Sequence, residues 1–488
     1  GDGATAWNAL PSRQSGTYAT RLTTRRREWA GRVKDPVTVD VVMASPPTVS
    51  ALATTTAIAG GVAYPSNTSP STVGAQDRGT FNYRGGNITA AGTTYPNNLY
   101  VRNTAQTDPA NGNTAPFAVD FWFDGTTLEI LGKGNNSVTR LRVDGQIVSA
   151  AGTTWTNDGN NYILPVTFGA RAMRRITVEA SVNFIFGGVN AGPNDTVTAA
   201  RLDGPKTIVI GDSFTDGAGA TLGAVSCWAR KFSEAMNWPN LWCHGLGGTG
   251  YLNPGTRSTY RSRIVTDCLN YSPDVVIFEG GINDISYGGF TAAGLQSEAL
   301  TLFQQVATAL PNTLQIVLSP MWRNGVESFL VNLIPARDAL KEAAVQVPQC
   351  VFIDLLEMPL DATITTTISN SATGGATTFQ TASVPLPRRS TVEIGTGAAN
   401  PERRVITNVS GTGPYTHTVA ALTSAHTAGE TVKTVGPALW TGTGKVGATT
   451  GAGNSDLLVS SDGTHPTQVG HDEIGLVTAR LVAQALSA

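Results

Sequence analysis

Lys206-Thr207-Ile208-Val209-Ile210-Gly211-Asp212-Ser213 is an apolar run that stops on a glycine and two polar residues, and its reading decides the fold. An uninterrupted run of β-branched residues predicts a strand buried on both faces, which is the pattern of a parallel sheet. The runs Val275-Val276-Ile277-Phe278, Leu314-Gln315-Ile316-Val317-Leu318 and Cys350-Val351-Phe352-Ile353-Asp354 repeat the signal. Helical patterns lie between them, at about Leu222 to Met236, Ala292 to Ala309 and Glu327 to Val345. A last helix, about Thr467 to Leu486, would bury Val469, Ile474, Val477 and Leu481 at helical spacing. Strand–helix alternation of this kind predicts an α/β domain with helices on both sheet faces.

The flanking regions have a different rhythm. From about Asp77 to Ala200 short alternating runs predict strands: Ala118 to Phe123, Leu128 to Leu131, Thr139 to Val143, Ile176 to Ala180 and Phe184 to Phe186. Asp124-Gly125 and Asp144-Gly145 stand between runs and predict hairpin turns. This is the punctuation of a β-sandwich or jelly roll. Residues 362–435 turn Thr/Gly-rich, with strand-like pieces at Thr391 to Ile394, Arg404 to Ile406 and Glu430 to Val432, and predict a small inserted β module. An insertion between elements costs little, because closure entropy grows only logarithmically with length. The division expected is 1–76, 77–204, 205–361 with 436–488, and 362–435. The first of these reads as a linker, an attachment segment or the first strands of the next domain; a short amphipathic helix fits between Trp7 and Arg32.

Composition narrows the function classes. The 488 residues exceed one ordinary domain, and 41% hydrophobic with 14% charged residues describes a globular chain with a real core. A net charge of −2 gives no reason to expect nucleic acid, and the basic run Arg25-Arg26-Arg27 reads as a solvated helix face. The four cysteines, Cys227, Cys243, Cys268 and Cys350, form no C-x-x-C pair, so no zinc site is expected; Cys227 with Cys243 is the one pair considered for a bridge. No apolar run is long enough to span a bilayer. The start at Gly1 rather than Met is compatible with a removed leader or a residual tag.

Four short motifs carry the chemistry. Gly211-Asp212-Ser213 follows the first buried strand, which places Ser213 at the carboxyl edge of the sheet, where ligands bind. Read blandly, it is a helix-capping serine. Asp462-Gly463-Thr464-His465 can set a carboxylate on one imidazole nitrogen while the other faces a serine; the bland alternative is a helix-entry turn. Asn283, in Gly281-Ile282-Asn283-Asp284 after the third strand, can donate to an oxyanion or simply make a turn. Gly247-Gly248-Thr249-Gly250, after the second strand, can offer a backbone N–H to the same oxyanion.

In order and at these strand ends, the four motifs resemble the signature blocks of the SGNH (GDSL-like) hydrolases. The resemblance implies a flavodoxin-like three-layer domain and a serine esterase mechanism, with Ser213 as nucleophile, His465 as base then acid, and Asp462 orienting the imidazole. Oxyanion donors would be the Ser213 and Gly248 backbones and the Asn283 amide, with Gly247 a rival to Gly248. It implies no metal and no cofactor. The first block ends in Phe214 where the family name has leucine, and residues 362–435 are not part of the basic fold. The β region also resembles the N-terminal jelly roll of two-domain carbohydrate esterases, which implies an acetylated carbohydrate or small ester as substrate. The insert looks like small β modules of bacteriophage tail proteins, which together with a polymer substrate implies an extracellular or virion setting. The rival readings are a lipase-like or short-chain esterase and a non-catalytic glycan-binding or phage tail structural protein.

Other signals are weaker. Gly245-x-Gly247-x-x-Gly250 matches a dinucleotide fingerprint, but Pro254-Gly255 prevents a helix from opening there. Ser213 lacks a G-x-S-x-G elbow. His244 would line the cleft or support it, His471 would lie on a helix surface, and Trp322 and Arg323 would sit at the same sheet edge. The sequence leaves the sugar, the acyl group and the oligomeric state open.

Overall fold

The computed structural model describes residues 25–66, 80–91, 100–103, 106–108, 113–134, 136–321, 332–358, 363–387, 390–436, 439–440, 442, 444–450 and 454–487. Trp322 and Arg323 lie outside them, as does most of the helix expected between Trp7 and Arg32.

The N-terminal β region is organised by long strands: β1 (Phe117–Lys133), β2 (Val138–Val143), β3 (Tyr162–Ala180) and β4 (Ile185–Ala191). They belong to one 12-stranded sheet, in the order β2-β3-β1-β4. Its apolar face carries Phe117, Phe121, Phe123, Leu128, Ile130, Val178 and Phe186 in a single core. Residues 48–65 join this sheet: Thr48–Val49 pairs with β3 and Val62–Pro65 with β4. Residues 25–39 go the other way, with Trp29 and Val39 packed into the core of the parallel sheet.

The two Asp-Gly dipeptides part company. Asp144 and Gly145, at φ 50° and 84°, make the expected tight turn, with Val143 opposite Gln146. Asp124 and Gly125 make none: β1 runs straight through them, paired to Met173 and Ala172 of β3. Tertiary contacts override the local signal there. Arg171 bridges Asp124 and Asp195 at 3.0 Å each, and Asp195 accepts the Thr126 N–H.

The parallel sheet contains β5 (Thr207–Gly211), β6 (Leu241–Gly245), β7 (Val275–Phe278), β8 (Leu314–Leu318) and β9 (Cys350–Ile353). Their order is β6-β5-β7-β8-β9, all parallel, so the chain reverses direction across the sheet beside β5. Ligands bind at such a switch point, outside the strand carboxyl ends. The connecting helices are α1 (Ser213–Asp216), α2 (Trp228–Met236), α3 (Tyr260–Asp267), α4 (Ala292–Ala309) and α5 (Leu333–Val345), and α6 (Gln468–Ser487) closes the chain. Pairs α2–α6 and α4–α5 pack together, and β5 to β8 are buried throughout.

Three details correct the sequence reading. The segment before α2 is a 3-10 turn, Gly223–Val225, so the helix begins at Trp228 rather than Leu222. In α6, Val469 is exposed whereas His471 is fully buried, the reverse of what was expected. The His471 ring accepts the Trp228 N–H through Nδ1 and contacts the Ala218 carbonyl through Nε2, so it ties α6 to the helix behind the nucleophile. Cys227 and Cys243 lie beside one another as free thiols.

Between β9 and α6, residues 365–435 form a four-stranded and a three-stranded sheet. The Thr391–Thr396 strand covers the piece expected there, and the Glu402–Val405 and Thr431–Val435 strands overlap the other two, leaving out Ile406 and Glu430. They enclose their own apolar cluster of Phe379, Val392, Ile394, Ile406 and Val432. Arg403, fully buried, reaches back to Glu357 at 2.9 Å.

Candidate active site

Strand β5 ends at Gly211, and Asp212 caps α1 by accepting the Phe214 N–H at 2.9 Å. That cap places Ser213 at the first helical position, above the sheet edge. The D-x-x-H turn arrives from the far end of the chain. His465 Nε2 lies 2.9 Å from Ser213 Oγ, across 252 positions of sequence. Its Nδ1 lies 2.6 Å from Asp462 Oδ2. The other Asp462 oxygen accepts from Ser460 Oγ and from the Thr464 and His465 N–H groups at 2.7–3.0 Å. Partial burial pushes the Asp462 carboxyl up, but these hydrogen bonds, led by that of His465, outweigh it and hold it well below the usual carboxylate range. Asp462 therefore stays ionised beside the imidazole. A hydroxyl, an imidazole and a carboxylate so connected can pass the serine proton to the ring and support the resulting imidazolium.

The glycine pair beside Ser213 divides its work. Thr249 N donates to Leu246 O at 3.3 Å and Gly248 has φ 77°, so residues 246–249 form a turn whose third position needs a glycine. At Gly247, by contrast, an added Cβ would sit 3.5 Å from the Ser213 Cβ, in ordinary van der Waals contact with the nucleophile's residue. Arg257 braces the turn by donating to Gly247 O at 2.9 Å.

Asn283 is brought to the same place by the loop after β7. Its amide Nδ2 donates to Asp212 Oδ2 at 3.1 Å and to Thr249 O at 2.9 Å, which ties the nucleophile turn to the glycine turn. Both amide hydrogens are thus engaged in the resting site. Asp284, the next residue, accepts the N–H groups of Tyr251, Leu252 and Asn253 at 2.7–3.1 Å and so fixes the chain beyond the glycines. His244 is buried in β6, with Nδ1 2.6 Å from Asp267 O, in a supporting position rather than on a cleft wall.

Sequence reasoning missed Glu279, fully buried directly after β7. Its Oε2 accepts from Thr215 Oγ1 at 2.8 Å and from the Asp212 N–H at 3.3 Å. The available signal was a charged residue closing an apolar parallel strand immediately ahead of two glycines. Trp440 and Lys445, which follow the Thr431–Val435 strand, also reach the site: Trp440 packs on Phe214, and Lys445 stands against Gly463.

Residues 209–385 match the GDSL-like Lipase/Acylhydrolase family. The chain therefore carries a GDSL-like hydrolase domain, and with it the class of a carboxylic-ester hydrolase. The matched stretch covers less than half the chain and includes Ser213, Gly248 and Asn283 but neither Asp462 nor His465. No curated protein sequence matches the chain. Among solved structures, it is similar to a family two carbohydrate esterase from Clostridium thermocellum in complex with cellohexaose. That match has 16% identity and a TM-score of 0.42, covering 49% of this chain and 82% of the other. A salicylyl-acyltransferase from a tetracycline biosynthetic pathway gives 14%, 0.45, 60% and 85% in the same order. An acetyl xylan esterase from the rumen bacterium Butyrivibrio proteoclasticus gives 15%, 0.39, 49% and 81%. Likenesses this distant assign no activity to the GDSL-like domain. Among the described residues, no helix is long and apolar enough to cross a membrane.

Proposed function

We propose that the protein is a serine esterase that removes acyl groups, acetyl above all, from a carbohydrate, with Ser213, His465 and Asp462 as its triad. The observation that carries this reading is the unbroken hydrogen-bond path from Ser213 Oγ through the imidazole to Asp462. In the first half-reaction Ser213 Oγ attacks the acyl carbon while His465 Nε2 takes its proton. The oxyanion that forms is held by the Ser213 and Gly248 N–H groups and by Asn283, whose amide must share or release one of its two resting acceptors. Collapse expels the sugar hydroxyl, which receives the proton from His465. Water then repeats the sequence on the acyl-enzyme and frees the carboxylic acid.

The carbohydrate part of the reading draws on the β-rich N-terminal region and on the polar setting of Ser213. Half of the Asp462 side chain and a quarter of that of His465 are open to solvent, and Arg257 and Lys445 border the turns that carry the site. Polar walls suit a sugar ring better than a long acyl chain. We read residues 77–204 as a jelly-roll-like domain that the strands of residues 48–65 extend, and 362–435 as a module inserted into the hydrolase domain; the module's separate apolar core supports this. A polymeric glycan substrate fits an extracellular or virion-borne enzyme.

The test is hydrolysis of chromogenic esters from acetate to octanoate by the wild type and by Ser213→Ala. Preference for acetate, abolished by the substitution, is expected. Preference for octanoate would favour a lipase-like enzyme. Activity that survives Ser213→Ala would end the triad assignment, and a wild type inert on every ester would favour a glycan-binding role.

A further inference from the structure

Glu279 is a buried acid that the esterase mechanism leaves unused. It follows β7, where its N–H still holds parallel register by donating to Ile210 O at 3.0 Å. Its carboxyl passes beneath the nucleophile turn, where Oε2 takes the N–H of Asp212, the residue before Ser213, and the hydroxyl of Thr215, two residues after it. Thr215 Oγ1 in turn accepts from Trp228 Nε1 at 3.3 Å. The two ends of the turn are thus gripped by one carboxyl oxygen from below. The other oxygen, Oε1, is buried with no hydrogen-bond partner among the described residues.

The charges around Glu279 do not compensate a carboxylate. Asp212 lies beside it, and its two oxygens already accept from Phe214 N and Asn283 Nδ2. Asp284 is spent on three backbone N–H groups. From α3, Tyr260 donates its hydroxyl to Glu279 O at 2.7 Å, and Tyr251 packs against Tyr260. The cation on that side, Arg263, directs its guanidinium to Gly211 O, His244 O and Asp267, at 2.8–2.9 Å. A carboxylate with one bare buried oxygen and an acidic neighbour is costly, and the neutral acid costs less. Burial pushes Glu279 up to about 7 against the opposing hydrogen bonds of Thr215 and Asp212, and burial with the nearby Glu279 charge pushes Asp212 well above the usual carboxylate range, so the two acids compete for one proton. Both Asp212 oxygens already accept N–H groups whereas Glu279 Oε1 is bare, which favours the proton on Glu279.

We propose that Glu279 is a positioning residue that holds the Asp212–Thr215 turn, and so Ser213, from beneath as the neutral acid. The proposal rests on Ser213 being the nucleophile, but its test is separable from that reading. Glu279→Gln keeps the accepting oxygen and the neutral charge, and Glu279→Ala removes both contacts. In the alanine variant kcat on a chromogenic acetate should fall about tenfold to a hundredfold with KM little changed, since small misplacements of reacting groups cost this much. The glutamine variant should stay near wild type.

Two readouts do not depend on turnover. The indole N–H resonance of Trp228, which reports on Thr215, should move in Glu279→Ala and hold in Glu279→Gln. At mildly acidic pH the infrared C=O stretch of a protonated carboxyl should shift with a glutamate-specific isotope label and vanish in Glu279→Gln. An alanine variant with full kcat and an unmoved indole resonance would overturn the positioning role. A glutamine variant as slow as the alanine variant, or no labelled carboxyl band, would overturn the neutral acid. Should the alanine variant fail to fold, the glutamine variant and the infrared band decide.

Discussion

Glu179 lies at the seam between the N-terminal β sheet and the parallel sheet, and Glu279 lies under the Ser213 turn; both are closed off from water. Burial alone would push either carboxyl toward the neutral form. At Glu179 three arginines reverse that push: Arg140 at 2.7 Å, Arg142 at 3.1 Å and Arg230 farther off hold it well below the usual carboxylate range. The same cluster crosses the seam, because Arg140 donates to Val225 O at 2.9 Å and Arg142 meets Asp40, which also holds Lys231 at 3.0 Å. Among the described residues no arginine is aimed at the Glu279 carboxyl, and burial raises the acid. The lesson is that burial does not set a carboxyl's state until the direction of the nearest guanidinium is known. One region spends its charges on assembly, while the other leaves a buried carboxyl beneath the Ser213 turn with no guanidinium directed at it among the described residues.

The contrast predicts that substitutions in the two regions affect different measurements. The largest effect belongs to the site: Ser213→Ala or His465→Ala should lower kcat by about 10⁴–10⁶-fold with an unchanged thermal midpoint. A variant that loses activity because it melts would blur the distinction. Next comes the seam. Glu179→Ala leaves Arg140 and Arg142 buried without their carboxylate and should cost about 3–5 kcal/mol, seen as a lower unfolding midpoint, while kcat per folded molecule holds.

The pH dependence sharpens the same point. Glu179 is ionised more readily folded than unfolded, so its stabilisation is fully present above its unfolded value of about 4.3 and is lost as pH falls through the folded value. Glu179→Gln should flatten that acid limb in a series of thermal midpoints. The smallest effect lies in the sheets of residues 365–435, where His426 sits between Glu402 at 2.6 Å and Glu430 at 2.7 Å. The Glu402 hydrogen bond leads in raising its pKa. Its contribution is fully present below about 6.5 and fades as pH rises through the raised folded value. His426→Gln should remove that slope, and an unchanged slope would assign it to another group.

What the sequence disclosed follows from how local each signal is. The parallel strands were legible because β-branched runs buried on both faces have few other uses. The hairpin at Asp144-Gly145 was legible because its turn is made by its own two residues. The same dipeptide at 124–125 misled, since Arg171 and Asp195, dozens of positions away, hold it extended. His471 was misplaced for a like reason: a polar residue on an amphipathic helix reads as exposed until its partners, Trp228 N and Ala218 O, are known. Ser213, Asn283, Asp462 and His465 were named from short motifs, and the structure brings all four to one sheet edge. Glu279 bears no motif, because its role depends on which turn lies above it.

The central claim is that Ser213 is made nucleophilic by an imidazole delivered from the other end of the chain. A fluorophosphonate that traps activated serines, followed by peptide mass spectrometry, tests it most directly. The account predicts a single adduct on the peptide carrying Ser213, formed fast in the wild type and lost in His465→Ala. An adduct on another serine, or one on Ser213 that forms equally fast without His465, would contradict it.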